Sequence, residues 1–122
     1  MKIAIIGAGN VGGALAQGWA KAGHSVILGV RDLTNNEVTA LVASSKNLQA
    51  ASVSAAVREA EVILVALPIP AVVEVAQNLG EVKDKIIIDA TNAAFQKPAP
   101  YATAFEAFKG FGFCGMLRFW RR

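Results

Sequence analysis

The first twelve residues narrow the choice of fold more than any other part of the chain. A strand-forming run, Lys2–Ile6, leads without a break into Gly7-Ala8-Gly9-Asn10-Val11-Gly12, and a helical pattern follows at once. A strand, then G-x-G-x-x-G, then a helix is the context in which that glycine spacing holds the diphosphate of a dinucleotide. Gly7 permits the tight turn. Gly9 leaves the backbone open to the pyrophosphate, and Gly12 lets the helix pack close to the strand. The first N–H groups of the helix have no partner within it, and the helix dipole adds to their pull on phosphate oxygens. The opening also has the outline of an export signal, a lysine before an apolar run. The fixed glycine spacing and the direct passage into a periodic helix argue for a folded element instead.

The rest of the chain repeats this alternation. Apolar or small residues at 11, 14, 15, 19 and 22 give a helix over 11–22, ended by Gly23. A strand is expected over 25–30 and a helix from an Asn35 or Asn36 cap to about Ser45. A weak strand follows at 48–51, then a short helix capped by Ser54 and running to Ala60. A strong strand is expected over 62–67, closed by Pro68, then a helix over 71–79 and a strand over 85–90. Runs such as "VILVAL" and "KIIIDA" are apolar without alternation, as in strands buried on both faces. The expected fold is therefore α/β: a single-domain, doubly wound parallel sheet of the NAD(P)-binding Rossmann kind, with helices on each side. Apolar residues at 54% and charged residues at 17% suit such a buried sheet.

The end of the second strand decides which dinucleotide the site prefers. In NAD-binding domains an acidic residue there accepts hydrogen bonds from the adenosine ribose. A count of about 20 residues from Gly12 lands on Asp32. The turn "KAGHS" is short, however, so the strand finishes near Val30 and Val30 takes the acidic position. Arg31 follows. A guanidinium is permanently charged and bidentate, which suits a phosphate. A hydrogen bond to a charged group contributes about 1.5–3 kcal/mol, so Arg31 favours NADP(H) over NAD(H) by roughly tenfold or more. Thr34 and Asn35 lie close enough to assist. The competing reading makes Arg31 a surface charge paired with Asp32.

The combination of G-N-V-G, A-G-H and G-x-R in "IGAGNVGGALAQGWAKAGHSVILGVRD", with "VILVALPIPAVVEV" and "KIIIDATNA", resembles the NADP oxidoreductases dependent on the deazaflavin coenzyme F-420. Pyrroline-carboxylate-reductase-like and metalloreductase domains are similar too. The resemblance runs from about Met1 to Asn92. It implies NADP(H) along the strand ends, with Gly9, Asn10 and Val11 against the pyrophosphate and Arg31 against the 2′-phosphate. It also implies Leu67, Pro68 and Ile69 along the ribose and nicotinamide, with Asn92 nearby. The implied activity is hydride transfer between NADP(H) and a deazaflavin, flavin or similar small-molecule acceptor. The alternative is a dinucleotide-binding module without turnover. Members of the family often carry a small hydroxyl residue where Val30 stands and a second basic residue soon after. Here the next basic residue is Lys46, which implies weaker phosphate binding.

Few other residues suggest chemistry. His24 is the sole histidine and falls in a turn at the opposite end of the sheet from the ligand. Asp89 ends the fifth strand and is expected to orient a loop. Trp19 is expected to pack. Cys114, the single cysteine, excludes an internal disulfide and is read as an apolar filler in a reducing, cytoplasmic setting. No catalytic residue and no metal site are expected, because in transfer between two cofactors the cofactors carry the reaction. The net charge of +3 is matched by Arg118, Arg121 and Arg122, leaving a neutral body with no face for nucleic acid. No apolar run reaches the roughly 20 residues of a membrane span. Residues 1–108 are expected to form the NADP-binding domain, with a helix over 100–108, and 109–122 an aromatic, basic tail. That tail reads as the ending of a truncated or frame-shifted product, and its exposed aromatics favour self-association as a homodimer.

Overall fold

Lys2–Ile6 forms strand β1 and Asn10–Lys21 helix α1, followed by β2 (Ser25–Gly29), α2 (Asn36–Ala43) and β3 (Leu48–Ala51). Next come α3 (Val53–Glu59), β4 (Val62–Val65), α4 (Ile69–Asn78), β5 (Ile86–Asp89) and β6 (Met116–Arg118). The computed structural model describes residues 1–90 and 116–118, with 69–70 and 116–118 as backbone only. The expected helix over 100–108, together with Asn92, Cys114 and most of the tail, lies outside the described residues.

The strands form one parallel sheet in the order β3-β2-β1-β4-β5-β6. The chain moves outward from β1 through β2 to β3, then crosses back and moves outward again from β4. This is the doubly wound Rossmann arrangement, whose direction reverses between β1 and β4. The register pairs Ile6 with Gly29 on one side and with Val65 on the other, so these strands end side by side. Met116–Arg118 pairs in parallel with Ile87–Asp89, so part of the segment expected as a tail extends the sheet.

Apolar residues occupy both strand faces, which is why the runs show no polar alternation. Ile3 and Ile5 point with Val26, Leu28, Val62 and Leu64 toward Ala16 and Ala20 of α1 and Val38 of α2. Ala4 and Ile6 point with Ile27, Ile63 and Val65 toward α3 and α4, meeting Ala56, Val57, Val72 and Leu79. Ile5, Leu28, Ile63 and Leu64 are fully buried. Each such side chain contributes about 1.5–3 kcal/mol relative to an exposed one. The face of α1 against the sheet is built from Gly12, Gly13, Ala16 and Ala20. Small side chains let this helix lie close to β1 and β2, and Trp19 packs at the edge of the same cluster.

Several boundaries differ from the sequence expectation. Ser52, rather than Ser54, caps α3, with its hydroxyl accepting from the Ala55 amide at 3.3 Å. The α2 cap agrees with expectation: of Asn35 and Asn36 it is Asn35, accepting from the Glu37 and Val38 amides at 2.8 and 3.4 Å. Strand β4 stops at Val65, and α4 begins at Ile69 with Pro68 as its N-cap. Prolines suit a helix start, because the amide they lack has no helical partner there.

Candidate functional site

The site forms where β1 and β4 end and their chains leave in opposite directions. Gly7 turns the chain out of β1 at φ +109°. A Cβ there would strike the carbonyl of Ala66, at the end of β4. A Cβ at Gly12 would strike the carbonyl of Gly7, so the helix start lies directly against the turn. Gly9 differs from both. It is the N-cap of α1, at φ −74°, and a Cβ added to it would meet nothing within 4 Å. The space in front of Gly9 is open to an incoming group.

The first helical bond runs from the Gly13 amide to the Gly9 carbonyl at 2.7 Å. The amides of Asn10, Val11 and Gly12 precede it and have no carbonyl of the helix to bind. No side chain caps this end and no acidic residue stands in the first turn. The end of α1 therefore presents bare donors and a positive dipole, which together attract an anion. The Val11 side chain is exposed beside them.

From this turn an open cleft of about 270 Å³ runs across the end of β2. Ile6, Gly7, Ala8 and Gly9 line one part, Gly29, Val30, Arg31 and Asp32 the next, and Asn35, Glu37 and Val38 the start of α2. Val53, Leu67, Ala71, Glu74 and Val75 close the opposite wall. A second hollow of about 280 Å³ shares Val30, Arg31, Val53, Glu74 and Val75 and continues toward Ser52, Ser54 and Asn78. Between the two stands the side chain of Arg31. Its Nη1 donates to both carboxylate oxygens of Glu74, at 3.3 and 3.2 Å.

The expected residues are distributed unevenly around this cleft. Gly7, Gly9, Val30, Arg31 and Leu67 line it, as does Asn35, while Asn10, Val11 and Gly12 form the bare first turn beside it. Thr34 faces Asp32, whose Oδ1 accepts from the Thr34 hydroxyl at 2.6 Å and from the Thr34 amide at 2.9 Å. These bonds hold the Asp32 carboxyl below the usual aspartate range, the hydroxyl having the larger effect. The alternative pairing of Arg31 with Asp32 is thus corrected: Asp32 takes Thr34, and Arg31 takes Glu74. Pro68 caps α4 and Ile69 is its first residue. Asn35 uses its side-chain oxygen for the α2 cap.

Sequence reasoning missed Glu74, Glu37, Val53, Ala71 and Val75 as cleft residues. Glu74 left one trace, being the sole charged residue of α4 in "IPAVVEVAQN". Among the other candidates, His24 lies in the turn before β2, at the amino end of the sheet. Asp89 is buried at the carboxyl end of β5 and is engaged there. Among the described residues, no group of three or more His, Cys, Asp or Glu is placed to hold a metal ion, and no helix is long and apolar enough to cross a membrane.

These residues fit a dinucleotide. The bare amides before the Gly13 bond suit a diphosphate, and the open face of Gly9 admits it. Val30, Val53, Ala71 and Val75 offer apolar walls for a flat base, with Arg31 at the rim.

Comparison with known proteins agrees with this geometry. Residues 2–93 match the sequence model of a family described as NADP oxidoreductase, coenzyme F420-dependent. A glycerol-3-phosphate dehydrogenase [NAD(P)+] from Thermoanaerobacter sp. (strain X514) is 33% identical over 100 residues, covering 72% of this chain and 30% of its own length. A provisionally assigned F420-dependent NADP-reductase from Arthrobacter sp. FB24 superposes with a TM-score of 0.70 at 24% identity, over 80% of this chain and 50% of that one. The pyrroline carboxylate reductase of Plasmodium falciparum, solved with NADP bound, superposes with a TM-score of 0.57 at 21% identity, over 72% of this chain and 32% of that one. The chain thus spans half or less of the length of each of these proteins.

Proposed function

Since the chain belongs to the coenzyme F420-dependent NADP oxidoreductase family, we propose that it binds NADP(H) across the β1–β4 switch point and serves hydride transfer to or from a small-molecule acceptor. The acceptor class is a deazaflavin, a flavin or a similar planar redox compound. One observation carries this reading: a bare helix start and a guanidinium stand at two ends of one cleft. In it the amides of Asn10, Val11 and Gly12 hold the diphosphate, Val30 and Val75 flank the adenine, and Arg31 meets the 2′-phosphate. Leu67, Pro68 and Ile69 lie toward the nicotinamide, with Asn92 completing that end. Thr34 supports the phosphate loop by fixing Asp32.

The bound nicotinamide supplies the hydride chemistry, and the protein's part is placement and exclusion of water. No acid or base is assigned, because transfer between two ring systems needs orientation rather than a side-chain proton relay. The setting proposed is cytoplasmic, with self-association as a homodimer and no nucleic-acid or membrane partner.

The test is turnover. NADPH absorbance is followed with the chain present, first alone and then with a deazaflavin, a flavin or a ferric acceptor. Oxidation that needs both the chain and an acceptor supports the enzyme reading. Saturable NADPH binding with no oxidation by any acceptor identifies a binding module instead.

A further inference from the structure

Arg31 and Glu74 reach toward each other from opposite walls of the cleft, one after β2 and one on α4. Their side chains remain 73% and 57% exposed, so solvent and ligand reach both. Both Glu74 oxygens bind the same nitrogen, Nη1, at 3.3 and 3.2 Å. Asp32, next to Arg31 in the chain, is already committed to Thr34. Glu74 is therefore the carboxylate that holds Arg31 among the described residues.

A carboxylate and a phosphate compete for a guanidinium, because each offers its donors a pair of negatively charged oxygens. NADP(H) differs from NAD(H) by one phosphate at the ribose 2′ position. An incoming 2′-phosphate must share or displace the carboxylate already on Arg31, and it brings a second negative group near the first. A ribose 2′-hydroxyl makes no such demand and leaves the ion pair closed.

We propose that Glu74 is a specificity-determining residue, whose carboxylate competes with the 2′-phosphate for Arg31 and narrows the preference for NADP(H) over NAD(H). This rests on the dinucleotide reading given above. Exposed ion pairs are individually weak, so Glu74 is expected to reduce NADPH affinity by roughly threefold to fivefold, not to abolish it. The effect falls as salt screens the pair.

Calorimetry on the full chain tests this with four probes: NADPH, NADH, adenosine 2′,5′-bisphosphate and 5′-AMP. The proteins are the parent, Glu74→Gln, Arg31→Ala and the double variant, each checked for native circular dichroism. Glu74→Gln is expected to tighten NADPH and the bisphosphate by roughly threefold to fivefold, with little change for NADH and AMP. In the Arg31→Ala background that gain is expected to vanish. Weaker NADPH binding by Glu74→Gln overturns the proposal and makes Glu74 a support for Arg31. Unchanged binding overturns it too. A gain that survives in full without Arg31 overturns competition in favour of direct repulsion. These results differ from failure of the dinucleotide reading itself, in which the parent binds none of the four probes and the role of Glu74 falls with it.

Discussion

Gly9→Ala and Gly12→Ala place the same methyl group three residues apart and should damage different properties. At Gly12 the added carbon would meet the Gly7 carbonyl, which belongs to the backbone of a tight turn and cannot rotate away. The helix start or the turn must shift. Such overpacking costs typically about 1–3 kcal/mol, offset in part by alanine's better helix propensity, about 1 kcal/mol. Contact with a rigid backbone oxygen puts the cost at the upper end of that range, so the net loss is about 2 kcal/mol, which lowers the melting temperature of a chain this size by roughly 8 °C. At Gly9 the methyl group meets nothing within 4 Å, and the φ of −74° suits any residue. Stability should then fall by less than about 1 kcal/mol, the margin by which glycine exceeds alanine at a helix N-cap. The methyl group does occupy the space through which a diphosphate reaches the Asn10, Val11 and Gly12 amides. Thermal unfolding followed by circular dichroism, with NADPH titration of each variant, separates the two effects. Gly12→Ala should melt early. Gly9→Ala should melt closer to the parent than Gly12→Ala does and bind NADPH at least tenfold more weakly, the factor for about 1.4 kcal/mol. A Gly12→Ala protein as stable as the parent refutes the close approach of helix and turn. A Gly9→Ala protein that binds NADPH normally refutes the diphosphate position.

Two further outcomes follow from local bonds. Because the Thr34 hydroxyl and amide hold the Asp32 carboxyl below its ordinary range, this group stabilises the fold above the ordinary aspartate pKa of about 3.9, and the contribution is lost as pH falls through its lowered value. Thr34→Val should move the Asp32 carbon-13 titration midpoint upward, and an unmoved midpoint would assign the lowering to another cause. Ser52→Ala removes the oxygen that accepts from the Ala55 amide. Urea unfolding should show a loss of about 0.5–2 kcal/mol, whereas Ser54→Ala, one residue into α3, should cost less.

Much of the fold was legible because two independent signals agreed. Glycine spacing set β1 and α1, and unbroken apolar runs set β4 and β5 as strands covered on both sides. The pairing of β1 with β4 and its register came only from the structure, because element order along the chain does not say which strands are neighbours. The ends of elements were less legible. "PIP" reads as a stop to a strand, yet those prolines serve equally well at the start of α4. Ser52 and Ser54 both have cap chemistry, and only backbone geometry separates them. Strand β6 is three residues long, too short for any period to show. The glycine turn and Arg31 were legible because their side chains, or lack of them, have few other uses beside a phosphate. Glu74 was not, because it meets Arg31 across 43 residues of sequence and becomes a cleft residue only when α4 packs beside α3.

The amides at the start of α1 report most directly on the proposed diphosphate seat. Nitrogen-15 NMR of the backbone and of the Arg31 guanidinium, recorded during titration with NADPH and then with NADH, reads both ends of the cleft at once. A dinucleotide seated across the switch point should give saturable shifts at Gly9, Asn10, Val11 and Gly12 in either form, and a shift at the Arg31 side chain with NADPH alone. Native spectra in which neither dinucleotide moves the four amides would contradict that seat.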